Sequence, residues 1–202
     1  MTEADLNQPK QKVSLEAYAR VVGEGVIAQL QQLVRPLRGK TLVHVNSTRE
    51  GGGVAEILHK MVPLMRELGL DVHWEIISGP PEFYQATKGI HNALQGNAVN
   101  LSPRLLTIYE ETNQEAAVRL RPLLQEADIV FIHDPQPAAL HRYTPNRKGK
   151  WIWRCHIDLG RPYRPVWRFL RPLVEGYDAS VFSLAAFARP LPHPQYVIPP
   201  SI

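Results

Sequence analysis

The sequence predicts an α/β fold in which helices cover both faces of a Rossmann-like, mostly parallel sheet. Three observations carry this prediction: short apolar runs alternate with longer amphipathic runs, the turns between them are short, and the run 128–133 (DIVFIH) is apolar throughout. Apolar strands of this kind are typical of parallel sheets that are buried on both faces. With 44% hydrophobic and 21% charged residues over 202 positions, the composition supports a sizeable core and excludes a disordered chain.

The elements follow one another in the order expected of such a fold. Residues 1–12 show no apolar periodicity and are predicted to form a flexible tail. Ser14 suits a helix cap, and apolar residues at helical spacing predict one helix from there to Arg35, closed by Pro36 and Gly39. Later periodicities predict helices over 54–68, 82–95, 103–126 and 163–176 and strands over 40–46, 71–77, 128–133, 151–155, 178–182 and 195–198.

Residues 13–198 are assigned to one domain. The extended Pro199-Pro200 exit from the last strand is typical of an interdomain crossover, so residues 199–202 are expected to begin a linker. No stretch approaches the roughly 18 to 20 apolar residues of a membrane-spanning helix. The acidic N-terminus carries no secretory signal, and the lone Cys155 cannot form an internal disulfide. These two features predict a reducing, cytoplasmic location.

Basic residues are concentrated between positions 142 and 171, where nine Lys or Arg residues accompany a single acidic residue. A field of this sign suits an anionic partner such as phosphate, and it also suits an ordinary solvated Arg-rich face. Helical and strand periodicity favours the second interpretation over a nucleic-acid surface. We therefore expect Arg164, Arg168 and Arg171 to be solvated. The aromatic residues interleaved with the basic ones are expected to lie mostly in the core: Trp151, Trp153, Tyr163 and Trp167.

Ligands of open α/β sheets bind beyond the carboxyl ends of the strands, so the turns there hold the candidate site. The first strand leads into Gly51, Gly52 and Gly53 and then directly into a helix. Such glycines let backbone N–H groups approach an anion or a sugar at a helix start, and they also suit a simple flexible turn. Their spacing matches neither the P-loop nor the GxGxxG pattern, which disfavours nucleotide sites of those types.

Two further strand ends carry polar side chains. Asp134, held by Pro135, suits an acceptor for substrate hydroxyls, and it equally suits a cap for the next short helix. After the fourth strand, alternation predicts that Arg154, His156 and Asp158 share one face, where His156 either orients a ligand or is a structural core histidine. The sequence has no Cys/His metal spacing and no GxSxG elbow, so we expect neither a metal nor a serine nucleophile.

Three stretches taken together resemble one family: 44–74 (HVNSTREGGGVAEILHKMVPLMRELGLDVHW), 131–140 (FIHDPQPAAL) and 153–162 (WRCHIDLGRP). They are similar to the N-terminal domain of the trehalose glycosyltransferring synthases and of their trehalose phosphorylase relatives. The resemblance runs from residue 40 onward and implies the N-terminal half of a two-domain, retaining GT-B glycosyltransferase. These enzymes make or break trehalose with a nucleotide-glucose or with glucose 1-phosphate.

The resemblance implies roles for individual positions. Gly51, Gly52 and Gly53 would face the donor diphosphate and sugar. Asp134 would hold the acceptor sugar and His156 the donor glucose, which makes these two the candidate catalytic residues. Acceptor-side contacts are expected from four residues of the same turns: Arg49, Gln136, Arg154 and Asp158. The expected donor substrate is UDP-, ADP- or GDP-glucose, with no tightly bound cofactor.

The resemblance also implies a division of labour. The family's second domain, which supplies the nucleotide pocket and the groups that bind the diphosphate, would begin about where this sequence ends. We therefore expect an acceptor-side glucosyltransferase domain that is inactive alone. Its expected partners are glucose, trehalose and a C-terminal donor domain, with a homodimer left open and with no nucleic acid or membrane. Two alternatives stay open: a trehalose phosphorylase N-domain, and a stand-alone sugar- or phosphosugar-binding module without turnover.

Overall fold

Residues 14–200 are described by a computed structural model, which shows an α/β fold with a six-stranded sheet. The strand pairings among these residues are all parallel, and the strand order is β2–β1–β3–β4–β5–β6. The predicted mostly parallel sheet is therefore confirmed. The strands are β1 (Thr41–Asn46), β2 (Asp71–Ile76), β3 (Ile129–His133), β4 (Lys150–Cys155), β5 (Ala179–Phe182) and β6 (Gln195–Val197).

The predicted strands and the later predicted helices are present, with ends that differ by at most two residues. A four-residue helix after β3 was not predicted. The tail predicted over residues 1–12 lies outside the described residues, as do the last two positions of the linker predicted over 199–202. The helices are α1 (Leu15–Val22), α2 (Glu24–Val34), α3 (Gly53–Glu67), α4 (Pro81–Leu94), α5 (Pro103–Glu126), α6 (Leu140–Tyr143) and α7 (Arg164–Val174).

The first predicted helix is wrong in one respect, because it is two helices and not one. Ser14 caps α1 as predicted, and its side chain accepts a hydrogen bond from the Ala17 N–H at 3.1 Å. The chain then turns at Gly23, whose φ of 87° lies in the left-handed region that glycine enters without strain. The Gly23 N–H closes α1 on the Ala19 carbonyl at 2.8 Å, and α2 begins at the next residue.

Helices cover both faces of the sheet. On one face, α4, α5 and α7 pack against β3, β4 and β5. On the other face, α2 and α3 pack over β1 and β2 around a smaller core that includes Leu58, Val62 and Trp74. The largest side chains buried on the first face are Trp151, Trp153, Tyr109, Phe83 and Phe182.

The three arginines of α7 form a solvated face, as predicted. Arg164, Arg168 and Arg171 are exposed along α7, and Arg171 pairs with Glu175 at 2.7 Å. Trp151 and Trp153 of β4 are fully buried, which confirms that they are core residues, whereas Tyr163 and Trp167 are half-buried and pack against this core. Within residues 14–200, none of the helices has both the length and the apolar character needed to cross a membrane.

The amino ends of β3 and β4 approach each other closely at Gly149. A Cβ atom at this position would lie 2.1 Å from the Ala127 carbonyl oxygen and 2.3 Å from the Asp128 carbonyl oxygen. The Asp128 carboxylate in turn accepts a hydrogen bond from the Thr41 N–H at 2.9 Å and one from the Lys40 ammonium at 2.8 Å. Gly149 is therefore required for the register that joins β1, β3 and β4.

We expect Gly149→Ala to lower the free energy of unfolding by about 2 kcal/mol or more, because the methyl group would meet fixed backbone atoms. Gly25→Ala is the matched control, since a Cβ at Gly25 in α2 meets nothing within 4 Å. That variant should gain about 0.5 to 1 kcal/mol from the higher helix propensity of alanine. Urea unfolding of both variants measures the difference, and equal unfolding midpoints would contradict this account of Gly149.

Candidate functional site

The strand order creates a crevice where β1 and β3 lie side by side. The chain leaves β1 toward β2 on one side and leaves β3 toward β4 on the other, so the turns after these two strands diverge. In open parallel sheets, ligands bind in the crevice beyond the carboxyl ends of such strands. The turn 47–53 forms one wall of the crevice, residues 134–136 form another, and the turn after β4 extends it.

Two adjoining cavities, together called the strand-end cleft, occupy this crevice. The first has a volume of about 190 Å³ and lies between the glycine turn and Asp134. The second has a volume of about 420 Å³ and extends from there past His156. Asp134 borders both cavities, so its carboxyl group is shared between them. The polar side chains in the walls are Asn46, Ser47, Thr48, His91, Gln95, His133, Asp134, Gln136, His156, Asp158 and Ser183.

The glycine turn leaves room for a ligand. Gly51 and Gly52 have φ angles of 73° and 85°, which favour glycine for conformational reasons alone. Gly53 has no such requirement, yet a Cβ atom there would meet nothing within 4 Å. Asn46 anchors the turn, because its side-chain amide donates to the Thr48 carbonyl at 2.7 Å and its Oδ1 accepts from the Trp74 indole at 2.8 Å. The three glycines therefore form an open wall at the start of α3.

Asp134 joins the ends of β3 and β4. Its Oδ1 accepts a hydrogen bond from the His156 backbone N–H at 2.7 Å, and its own N–H donates to the Arg154 carbonyl at 2.9 Å. Its carbonyl accepts from the Trp153 indole at 3.0 Å. The φ angle of Asp134 is 62°, a strained conformation for a residue other than glycine. Strain of this kind at a strand-end crevice marks Asp134 as a functional candidate, and its carboxyl group lies directly beside the His156 backbone.

The environment of Asp134 changes its acidity. Burial raises the pKa of Asp134 to about 7, while the His156 N–H and the positive charge of Arg154 act in the opposite direction. A carboxyl group that titrates near neutral pH can exchange a proton with a substrate hydroxyl. In its ionised form it accepts hydrogen bonds from hydroxyl groups.

His156 is half-buried and belongs to a row of three imidazoles. Its Nε2 lies 3.2 Å from Nδ1 of His133, and Nε2 of His133 lies 3.0 Å from Nδ1 of His44. Burial lowers the pKa of both His44 and His156 to about 4 and lowers that of His133 well below its usual value. The three rings are therefore neutral at pH 7.

Two of the predicted acceptor-side residues differ in their placement. Gln136 is half-buried and lines the first cavity beside Asp134. Arg49 does not line the strand-end cleft: its guanidinium donates to the Trp74 carbonyl at 2.6 Å and lies 4.7 Å from the centre of the Trp74 ring. This side chain holds the turn against β2, so the structure does not bring Arg49 together with the other candidates.

The predicted common face of Arg154, His156 and Asp158 is also only partly present. β4 ends at Cys155, so strand alternation does not extend to Asp158. The Arg154 side chain is buried in the wall of a groove beside α3, and its guanidinium donates to the Ser183 hydroxyl at 3.5 Å. Asp158 is exposed at the second cavity, and its Oδ1 accepts from the Gly160 N–H at 2.7 Å.

Seven of the eleven polar residues in the cleft walls were not assigned a role from the sequence, among them Asn46, His133 and His91. Asn46 is the last residue of β1, and the rule that ligands bind at strand ends was sufficient to find it. His133 is the last residue of β3, and the same rule applied to it. His91 lies on α4 and borders both cavities, and burial lowers its pKa. No motif signals His91, because its placement depends on how α4 packs beside the crevice.

The cleft is polar but carries no cationic side chain. None of the residues that line its two cavities is a lysine or an arginine. Within residues 14–200, no group of three or more His, Cys, Asp or Glu side chains is arranged to hold a metal ion. The arrangement of hydroxyl, amide, imidazole and carboxyl groups suits a neutral ligand that is rich in hydroxyl groups.

Asp134→Asn should make stability less dependent on pH. Because the pKa of Asp134 is raised from 3.8 to about 7 on folding, the wild-type protein loses stability as the pH rises through this interval. The full shift corresponds to at most about 4 kcal/mol. Asparagine tolerates a positive φ and keeps an oxygen for the His156 N–H. We expect the variant to be more stable than the wild type at pH 8, with the advantage vanishing near pH 4. Urea unfolding across this range measures it, and a constant difference would contradict the proposed cause.

Comparison with known proteins places the chain in a family. Residues 44–189 match the family described as trehalose synthase, N-terminal domain. The trehalose synthase of Pyrococcus horikoshii is 45% identical over 194 residues, which are 95% of this chain and 46% of that protein. The trehalose synthase of Rubrobacter xylanophilus is 42% identical over 179 residues, which are 88% of this chain and 43% of that protein. A trehalose phosphorylase of Pleurotus pulmonarius is 30% identical, over 77% of this chain and 24% of that protein.

A solved structure shares the fold. The crystal structure of an α,α-trehalose 6-phosphate synthase from Burkholderia multivorans matches with a TM-score of 0.50 and 18% identity, over 73% of this chain and 41% of that one. The chain spans less than half the length of the two synthases named above. The family match covers most of the chain and includes the glycine turn, Asp134 and His156. This chain therefore belongs to the trehalose synthase N-terminal domain family.

Proposed function

We propose that this chain forms the acceptor side of a retaining glucosyltransferase, which makes trehalose from a nucleotide-glucose and glucose. The observation that carries the proposal is the buried Asp134 carboxyl group, held at a φ of 62° between the glycine turn and His156. The family to which the chain belongs supports the choice of trehalose. Asp134 binds hydroxyl groups of the acceptor glucose in this proposal.

The composition of the cleft favours glucose over a phosphorylated sugar as the acceptor. A phosphate group carries close to two negative charges at neutral pH, and proteins bind it with arginine, lysine or several backbone N–H groups. The cleft walls near Asp134 offer amide, hydroxyl and imidazole groups but no cationic side chain. A neutral sugar finds hydrogen-bond partners there without leaving a buried charge unpaired.

The glycine turn is the proposed location of the donor. Backbone N–H groups at the start of α3 and the open space beside Gly53 suit the diphosphate of UDP-, ADP- or GDP-glucose. His156 then lies across the cleft near the donor sugar. In this arrangement the protein positions the two substrates and stabilises the developing charge. The acceptor hydroxyl attacks the donor glucose on the same face from which the diphosphate departs.

A second candidate reaction is phosphorolysis of trehalose, because a trehalose phosphorylase is 30% identical to this chain. Both reactions use the same acceptor-side cleft and differ in the group that leaves the glucose. Product assays on a longer protein that contains this chain distinguish the two reactions. The synthase proposal predicts trehalose from glucose and a nucleotide-glucose, and the alternative predicts glucose 1-phosphate from trehalose and phosphate.

Sugar binding by the purified chain tests the acceptor site. We expect glucose and trehalose to bind with millimolar dissociation constants, because half of a cleft leaves one side of the ligand in water. Gly53→Ala should weaken trehalose binding at least about threefold without loss of stability, since its methyl group would lie on the donor side, where one of the two glucose units of trehalose is proposed to sit. Gly25→Ala is the control, because it adds the same methyl group away from the cleft. Equal affinities of the two variants would place the sugar elsewhere.

Turnover by the chain tests whether it acts alone. We propose that it does not, because the cleft walls formed by residues 14–200 include no lysine or arginine to stabilise a departing diphosphate. The purified chain is incubated with glucose and each of the three nucleotide-glucoses, and trehalose is measured. Trehalose formation at an ordinary enzyme rate would show that all catalytic groups lie within these residues, and would contradict the proposal.

A further inference from the structure

Three imidazoles form a hydrogen-bonded row across neighbouring strands, here called the histidine row: His44 on β1, His133 on β3 and His156 just after β4. The two nitrogen–nitrogen distances are 3.0 and 3.2 Å. The outer ring of the row, His44, stacks on Phe131 at a centroid distance of 4.8 Å, and the rings of His133 and His156 are nearly parallel at 5.5 Å. His44 and His133 are 2% and 3% exposed, so water does not compete for these contacts.

The neutral state of the rings limits how their protons are arranged. A neutral imidazole carries one N–H donor and one bare acceptor nitrogen, and each contact between two rings needs one of each. Burial and the nearby positive charge of Arg154 keep His133 and His156 neutral. The histidine row therefore has two arrangements. Either every ring donates toward the strand-end cleft, or every ring donates away from it.

His44 decides between these two arrangements. Its Nε2 is buried and has no hydrogen-bond partner among residues 14–200. His44 lines a groove of about 250 Å³ whose walls also include the apolar side chains of Met61, Met65 and Phe131. A buried N–H group without an acceptor is rarer in native proteins than an acceptor without a donor. Nε2 of His44 is accordingly the bare nitrogen, and its Nδ1–H donates to His133.

The remaining protons follow in sequence along the row. His133 accepts at Nε2, so its proton is on Nδ1 and is donated to Nε2 of His156. His156 then accepts at Nε2 and carries its own proton on Nδ1. Nδ1 of His156 has no hydrogen-bond partner among the described residues, and this residue lines the cavity that also contains Asp134.

We propose that His44 and His133 are positioning residues that hold His156 in the Nδ1–H tautomer, so that its ring presents an N–H donor to the strand-end cleft. The ligand atom that this donor suits is an oxygen, such as a sugar hydroxyl or a phosphate oxygen. A protonated Nδ1 does not remove a proton from the acceptor, which leaves that role to Asp134. The identity of the ligand rests on the proposed function, whereas the tautomer does not.

The tautomer is measured directly by NMR on the chain with ¹⁵N-labelled histidine rings. Long-range ¹H–¹⁵N correlations at pH 7.5 distinguish a protonated ring nitrogen from a bare one. We expect His44, His133 and His156 all to be protonated at Nδ1 and bare at Nε2. Protonation of His156 at Nε2 in the wild-type protein would overturn the proposal, and this measurement requires no variant to fold.

Two variants test whether the row imposes the tautomer. His133→Phe removes both contacts, and His156 should then show a substantial Nε2–H population. His44→Asp supplies a group that, when ionised, only accepts, so the row should reverse and His156 should become protonated at Nε2. His141→Gln is the control, because His141 stacks on Tyr177 at 4.7 Å outside the row and should leave His156 unchanged. Thermal unfolding verifies that each variant is folded. An unchanged His156 tautomer in folded His133→Phe would overturn the proposal.

Sugar affinity separates this proposal from the proposed function. His44→Asp, whose substituted residue lies outside the two cavities of the cleft, should weaken trehalose binding by roughly three- to tenfold, the effect of one misdirected hydrogen bond to the donor-side glucose. Unchanged affinity with a changed tautomer would overturn the role of His156 as a donor to the ligand and leave the acceptor site standing. Absence of sugar binding by the wild type would overturn the proposed function, while the NMR result would still decide the tautomer.

Discussion

The buried hydrogen bond from the His156 backbone N–H to the Asp134 carboxylate is the contact on which the rest of the site depends. It fixes the ends of β3 and β4 relative to each other, and with them the two walls of the cleft. Two features of Asp134 oppose this arrangement, since the residue is only 8% exposed and its φ is 62°. Burial of an ionised carboxylate and a strained backbone both oppose folding. A group kept under these conditions is better explained by ligand binding than by stability.

The groups around the cleft respond to pH in opposite directions. The raised pKa of Asp134 makes the folded state lose stability as the pH rises toward about 7. The lowered pKa values of His44 and His156, about 4, make it lose stability as the pH falls below the ordinary histidine value of 6.5. Near neutral pH the histidine row is uncharged and Asp134 is close to its midpoint. The site therefore interacts with a ligand mainly through hydrogen bonds and through the exchangeable proton of Asp134, and less through fixed charges.

Some parts of this site could be predicted from the sequence and others could not. Asp134 and His156 could be found because ligands of parallel sheets bind at strand ends, and the end of a strand can be located from that strand's own sequence. Arg49 was misplaced because its partner, Trp74, lies on the neighbouring strand β2, and no local pattern shows that contact. The histidine row was missed for the same reason, since it depends on the register between β1, β3 and β4.

The helices and strands were easier to predict than their interruptions. Apolar periodicity located the elements because burial on a helix face or in a strand imposes its own spacing. The break at Gly23 was missed because the flanking segments share one helical pattern, and only the φ of 87° reveals the turn. Asp158 was placed on the wrong face because alternation was extended past Cys155, where β4 ends. Pattern reasoning fails at element ends, which is also where the candidate site lies.

The magnitudes of the available interactions explain why the cleft suits the acceptor better than the leaving group. The start of α3 offers backbone N–H groups and a helix dipole, which typically stabilise an exposed anion by about 0.3 to 1 kcal/mol and by about 2 kcal/mol when partly buried. Removal of a single preorganised donor from an oxyanion site typically raises the barrier by about 2.7 to 4 kcal/mol. A departing diphosphate engages several such donors. The cleft walls contain no lysine or arginine, so α3 by itself falls well short of that requirement. Acceptor binding needs only neutral hydrogen-bond partners, which Asp134, His156 and the surrounding amide and hydroxyl groups provide.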